Sequence, residues 1–104
     1  MQEKRYKLSF LPLFEQDFNE IVDYISIDLN NPKAAKKLVN KIEKSILKRV
    51  ESSLMYAPYE SSKIRKHPYY KIKIDNYLIF YVVIDDTMEV RRILYSRRNI
   101  DSWI

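Results

Sequence analysis

Residues 69–85 read YYKIKIDNYLIFYVVID, and their alternation decides the fold. In a strand, residues two apart share a face, so Lys71 and Lys73 point one way while Ile72 and Ile74 point the other. After Asp75-Asn76, the run from Tyr77 to Ile84 is apolar at successive positions and rich in β-branched and aromatic residues, which predicts a central strand covered on both sides. Met88 to Tyr95 resumes the extended pattern beyond Asp85-Asp86-Thr87, and strands joined by such short connections are antiparallel. Taken alone, the lysine pair is either a solvated strand face with snorkelling stems or a cationic site.

Upstream the period is helical. Phe14, Phe18, Ile21, Val22 and Ile25 form one apolar stripe, and Pro12 is tolerated in the first turn, where its missing N–H would be unpaired anyway. Tyr6 to Phe10 is expected as a short strand before it. A second helix opens at Asn31-Pro32 with Asn31 as N-cap and runs through Ala35, Leu38, Val39, Ile42, Ile46, Leu47 and Val50. The short loop between the two makes them antiparallel neighbours. The chain has no glycine, so turns needing positive φ must use Asn or Asp, at Asn30-Asn31, Asp75-Asn76 and Asp85-Asp86. Ser96 to Ile104 reads as a short polar tail with a last helical turn. The expectation is an α+β fold of order β-α-α-β-β-β, a helical hairpin packed on one face of an antiparallel sheet. At 104 residues, positions 1–104 form a single domain.

Composition narrows the chemistry. Without cysteine there is no disulfide framework and no thiolate metal site. The opening MQEKRYKLSF lacks the apolar core of a signal peptide, and no segment approaches the roughly 20 apolar residues of a membrane span, so the expected location is the cytoplasm. The acids of the first helix recur on its wet face without metal-ligand spacing, and no glycine loop is available to cradle phosphates, so neither metal nor nucleotide cofactor is expected. The formal charge is +5, unevenly spread: Leu13 to Asp28 holds five acids and no base, Lys33 to Arg49 seven bases against Glu43, and Lys63 to Lys73 five bases and no acid. That balance permits nucleic acid or an acidic protein as partner. The split also allows ion pairs across the hairpin, each worth about 0 to 1 kcal/mol at a surface.

The stripe in LFEQDFNEIVDYIS, the helix opening NPKAAKKLVNKI, the segment IRKHPYYKIKIDNYLIFYVVID and the ending RRILYSRRNID together resemble the RelE/ParE superfamily of toxins from bacterial toxin-antitoxin modules. The resemblance covers nearly the whole chain. It implies one of two activities on this scaffold: ribosome-dependent cleavage of messenger RNA, which is the leading expectation, or inhibition of DNA gyrase without nuclease activity, the alternative. It implies a cognate antitoxin as partner in either case, with ribosome and mRNA, or gyrase, as target.

Metal-independent RNA cleavage requires a base for the 2′-hydroxyl, an acid for the leaving oxygen and cations for the charge that grows between them. By resemblance to the RelE branch, Lys71 and Lys73 take the positions of active-site lysines, Arg97 that of a phosphate-stabilising arginine, and Tyr95 a position held elsewhere by a catalytic His or Tyr. Trp103 falls near a base-stacking tyrosine, and Arg65, Arg98 and His67 complete the expected substrate-binding set. His67 is the one histidine, which excludes a His-pair mechanism and leaves a solvated loop imidazole as its other reading. The arginine that the RelE branch carries in the central strand is missing, since Tyr77-Leu78-Ile79 stands there. For Arg91, Arg92, Arg97 and Arg98, a solvated or antitoxin-binding surface is the competing reading.

Overall fold

A computed structural model describes residues 6–59 and 65–104; Lys63, counted in the basic run, and residues 1–5 of the N-terminal stretch lie outside these. The elements are β1 (Lys7–Phe10), α1 (Pro12–Asp23), a π-helical turn (Tyr24–Asp28), α2 (Pro32–Val50), β2 (Tyr70–Ile74), β3 (Tyr77–Ile84), β4 (Thr87–Tyr95) and a 3-10 turn (Ile100–Ser102). The order matches the reading of the sequence. Pro12 and Pro32 each sit in a first helical turn, and the Asn31 side chain accepts from the Ala34 N–H at 3.1 Å, capping α2 as expected.

The glycine-free turns also fall where the polar residues indicated. Asn30, Asp75 and Asp85 have φ of 48°, 52° and 55°, the left-handed region that Asn and Asp tolerate best among residues with a Cβ. Asn30 follows a widened turn in which the Leu29 N–H donates to the Tyr24 carbonyl five residues back, so α1 ends at Asp23 and the apolar stripe reaches Ile25 through π geometry.

The sheet runs β1-β4-β3-β2. β2, β3 and β4 are antiparallel, as short connections require, but β1 lies parallel to β4, with Lys7 opposite Thr87 and Phe10 opposite Val90. The sheet is therefore mixed rather than purely antiparallel. A parallel pair needs a long connection, and the helical hairpin and the two strands after it supply one.

β3 is covered on both faces. On one, Phe14 of α1 and Leu38, Ile42 and Ile46 of α2 pack onto Tyr70, Ile72, Ile74, Ile79, Tyr81 and Val90. On the other, Phe80, Val82 and Leu94 are covered by Tyr69, Ile100, Ile104 and Tyr59. Between Phe80 and Tyr81 the register shifts, leaving Arg91 as the extra residue of a bulge. Tyr81, fully buried, donates its phenolic hydrogen to the Ser53 carbonyl at 2.8 Å and accepts from Arg49 Nη1 at 3.1 Å, while Arg49 also donates to the Lys71 carbonyl. This network pins the chain after α2 onto the sheet.

Candidate functional site

β1 shields only the first half of β4, because Phe10 is followed by Leu11, whose N–H donates to the Val90 carbonyl before the chain turns into α1. Beyond Val90 the outer edge of β4 faces α1 across a groove of about 770 Å³, lined among others by Glu20, Tyr24, Tyr77, Tyr95, Arg98 and Trp103. Asp17 stands in its wall. Its carboxylate accepts from Arg92 Nε at 2.7 Å and Nη2 at 2.8 Å, a bidentate pair, and also from the Ile93 backbone N–H at 3.3 Å. The side chains are only 12% and 10% exposed, so the pair is largely desolvated. The hydrogen bond to Asp17 drives the Arg92 pKa above its ordinary value, against the opposing effect of burial.

Two expectations change here. Asp17 does not sit on the wet face of α1 with the other acids, and Arg92 is not a solvated cation. Asp17 lies three residues after Phe14 and four before Ile21, inside the apolar stripe, and that position was the available signal. Nor do the acids of α1 pair with the bases of α2: among the described residues the ion pairs are Lys7–Asp86, Lys41–Asp75, Arg91–Glu89 and Arg92–Asp17.

Arg92 Nη1 also donates to the Trp103 carbonyl at 2.9 Å, and Arg98 lies 4.4 Å from the centre of the Trp103 ring. Arg65 Nη2 donates to the Ile104 carbonyl at 2.6 Å while its guanidinium covers Tyr69 at 4.4 Å. Arginines thus tie the tail across the sheet face opposite the helices. Tyr59 is held there by its N–H to the Tyr69 carbonyl and by its hydroxyl to Asp101, and burial, followed by Asp101, raises its pKa.

The residues singled out in the sequence fall into separate groups. Lys71 and Lys73 are exposed on the tail side of β2, with Lys71 Nζ 5.7 Å from the centre of the Tyr59 ring. Across the sheet, Lys71 stands in register with Phe80 and Arg92, and Lys73 with Leu78 and Leu94. Two strand spacings, roughly 10 Å, separate β2 from β4. Tyr95 is on the other face: its cross-strand partner Tyr77, 6.0 Å away ring to ring, packs with the helix-side core. Arg97 and Arg98 follow the end of β4 and are exposed, and His67 lies half-buried in the loop before β2. The structure joins Tyr95, Arg98 and Trp103 in the edge groove and leaves Lys71 and Lys73 outside it. Tyr24 and Tyr77 in the groove, and Tyr59 beside Lys71, were not singled out, since their placement depends on packing distant in sequence.

Residues 8–100 match the family model described as the ParE toxin of the type II toxin-antitoxin system parDE. No curated protein sequence matches the chain. Among solved structures, it is similar to a chain of the chromosomal ParDE TA system from P. aeruginosa, with a TM-score of 0.67 and 16% identity over 88% of this chain and 97% of that one. It is also similar to a chain of the RelB-RelE antitoxin-toxin complex from Methanococcus jannaschii, with a TM-score of 0.50 and 24% identity over 92% of this chain and 98% of that one. At those identities the structures speak for the fold, and the family match carries the assignment: the chain belongs to the ParE toxin family of type II toxin-antitoxin systems, within the RelE/ParE superfamily.

Proposed function

We propose that this toxin acts by binding DNA gyrase and is neutralised by a cognate antitoxin. The observation that carries the reading is the filling of the sheet face bearing Lys71 and Lys73. Phe80, Val82 and Leu94 stand there under Ile100 and Ile104, so the floor between the lysines and the last strand is apolar and ill suited to a scissile phosphate. Tyr95 on the opposite face adds to this. The helical hairpin, meanwhile, ends in exposed Tyr24, Ile27 and Leu29, an apolar tip suited to a protein partner. Purified toxin should make relaxed DNA accumulate in a gyrase supercoiling assay while translation continues. In-frame cuts across coding regions, mapped on messenger RNA ends after induction, would sink this reading.

The nuclease reading keeps one observation in its favour, the shared exposed face of Lys71 and Lys73. It would be metal-free transesterification to a 2′,3′-cyclic phosphate, with those lysines as base and charge stabilisers and Arg97 on the phosphate. Under the gyrase reading, Lys71→Ala with Lys73→Ala leaves mRNA ends unchanged on induction. The antitoxin is expected to lay a helix or strand with apolar and acidic residues over the sheet and hairpin, where the groove at β4 offers aromatic walls beside Arg98. A neighbouring gene product that neither copurifies with the toxin nor neutralises it would contradict this.

A further inference from the structure

The outer face of α2 carries cations in an arrangement that helix stability does not explain. Lys33, Lys37, Lys41, Lys44 and Lys48 follow one another at spacings of four, four, three and four residues, all exposed. At 3.6 residues per turn they fall within an arc of roughly 80° and form a row about 22 Å long. Neighbours at such spacings repel when their charges are alike. Lys33 also occupies the positive end of the helix dipole, whose first turn contains no acid; of the row only Lys48, in the last turn, is favoured by the dipole. Only Lys41 has an acidic partner among the described residues, Asp75 at 3.2 Å. Repulsion left in place along a whole helix face points to a counter-charge supplied from outside.

We infer that this row is a docking surface for the phosphate backbone of double-stranded DNA. About 22 Å of duplex axis presents on the order of a dozen phosphates, ample for four free ammonium groups. The face has no aromatic residue on which an unstacked base could lie, so the contact reads backbone and not sequence, and it lacks the stacking by which single-stranded RNA is held. A membrane surface fits less well, because Leu38, Ile42 and Ile46 of α2 are spent in the core and Leu47 is the one large apolar side chain the helix exposes, too little for an inserted face. The inference is independent of the gyrase reading, since it concerns DNA alone.

The test is fluorescence anisotropy of a labelled duplex of about 20 base pairs, titrated with full-length toxin between about 50 and 200 mM salt. Wild-type affinity should fall with salt at a log–log slope near −4, at about 0.9 per phosphate neutralised. The variant Lys33→Gln, Lys37→Gln, Lys44→Gln, Lys48→Gln should bind at least tenfold more weakly with a slope near zero, and the same four positions as Arg should restore both. A charge-matched variant with Lys4, Lys7, Lys63 and Lys66 changed to Gln, all outside α2, should bind within about twofold of wild type. Equal loss in the two Gln variants would reduce the effect to net charge and overturn the assignment. So would wild-type binding by the stripe variant, or binding to duplex RNA or polyglutamate as tight as to duplex DNA.

Discussion

On the helix side of the sheet, Phe14, Leu38, Ile42 and Ile46 descend from two regular helices onto Ile72, Ile79, Tyr81 and Val90, whereas on the other side a short tail brings Ile100 and Ile104 down onto Phe80, Val82 and Leu94. The first face is closed chiefly by apolar periodicity, with the Arg49, Tyr81 and Ser53 network at one end of it. The second is closed by irregular chain, and arginines tie that chain down: Arg92 to the Trp103 carbonyl and Arg65 to the Ile104 carbonyl. Side-chain to backbone bonds there do work that apolar area does on the helix side, which leaves a cationic rim around an aromatic floor. Lys71 and Lys73 stand on that face, whereas Tyr95 lies on the other.

The comparison breaks first at Phe80, fully buried under the tail. Phe80→Ala should cost about 3 to 5 kcal/mol in urea denaturation, as for an aromatic in any closed core. A cost nearer 1 kcal/mol would make the tail side a loose flap. Next is Asp17→Ala, which leaves the Arg92 guanidinium desolvated without its partner and should cost about 3 kcal/mol. Adding Arg92→Met should recover much of that loss, because an apolar replacement removes the stranded charge.

Tyr81→Phe should cost about 1 to 2 kcal/mol by leaving the Ser53 carbonyl without its donor. It also carries a pH signature. Burial raises the Tyr81 pKa above the ordinary value of 10.0, with Arg49 offsetting part of the shift. The folded state thus favours the protonated phenol, so its contribution is complete below pH 10.0 and is lost as pH rises through the raised folded value. Wild-type stability should fall in that alkaline window, and in Tyr81→Phe it should fall less. Smallest is Trp103→Ala, about 0.5 to 1 kcal/mol, read as a small drop in Tm, since its ring meets Arg98 at an exposed site.

What could be read from the sequence was local. The alternation of Lys71 and Lys73 with Ile72 and Ile74, the two-faced apolar run of β3, the Asn31 cap and the three Asn or Asp turns each depend on residues close together in the chain. What could not be read was set by partners far apart. β1 joins β4 across some 80 positions, Asp17 meets Arg92 at a separation of 75, and Tyr59 reaches Asp101 at 42. The candidate site suffered most. Alternation orients residues only within one strand, and whether Tyr95 shares a face with Lys73 depends on the register of β3 between them.

The carboxylate of Asp17 has a consequence beyond the ion pair. By taking the Ile93 N–H, it occupies a donor that a strand from another molecule would need in order to extend the sheet along β4. Fibril-like growth at that edge must first break a bidentate charge pair. The toxin therefore carries its own guard against self-templated aggregation at the place where its sheet is left incomplete.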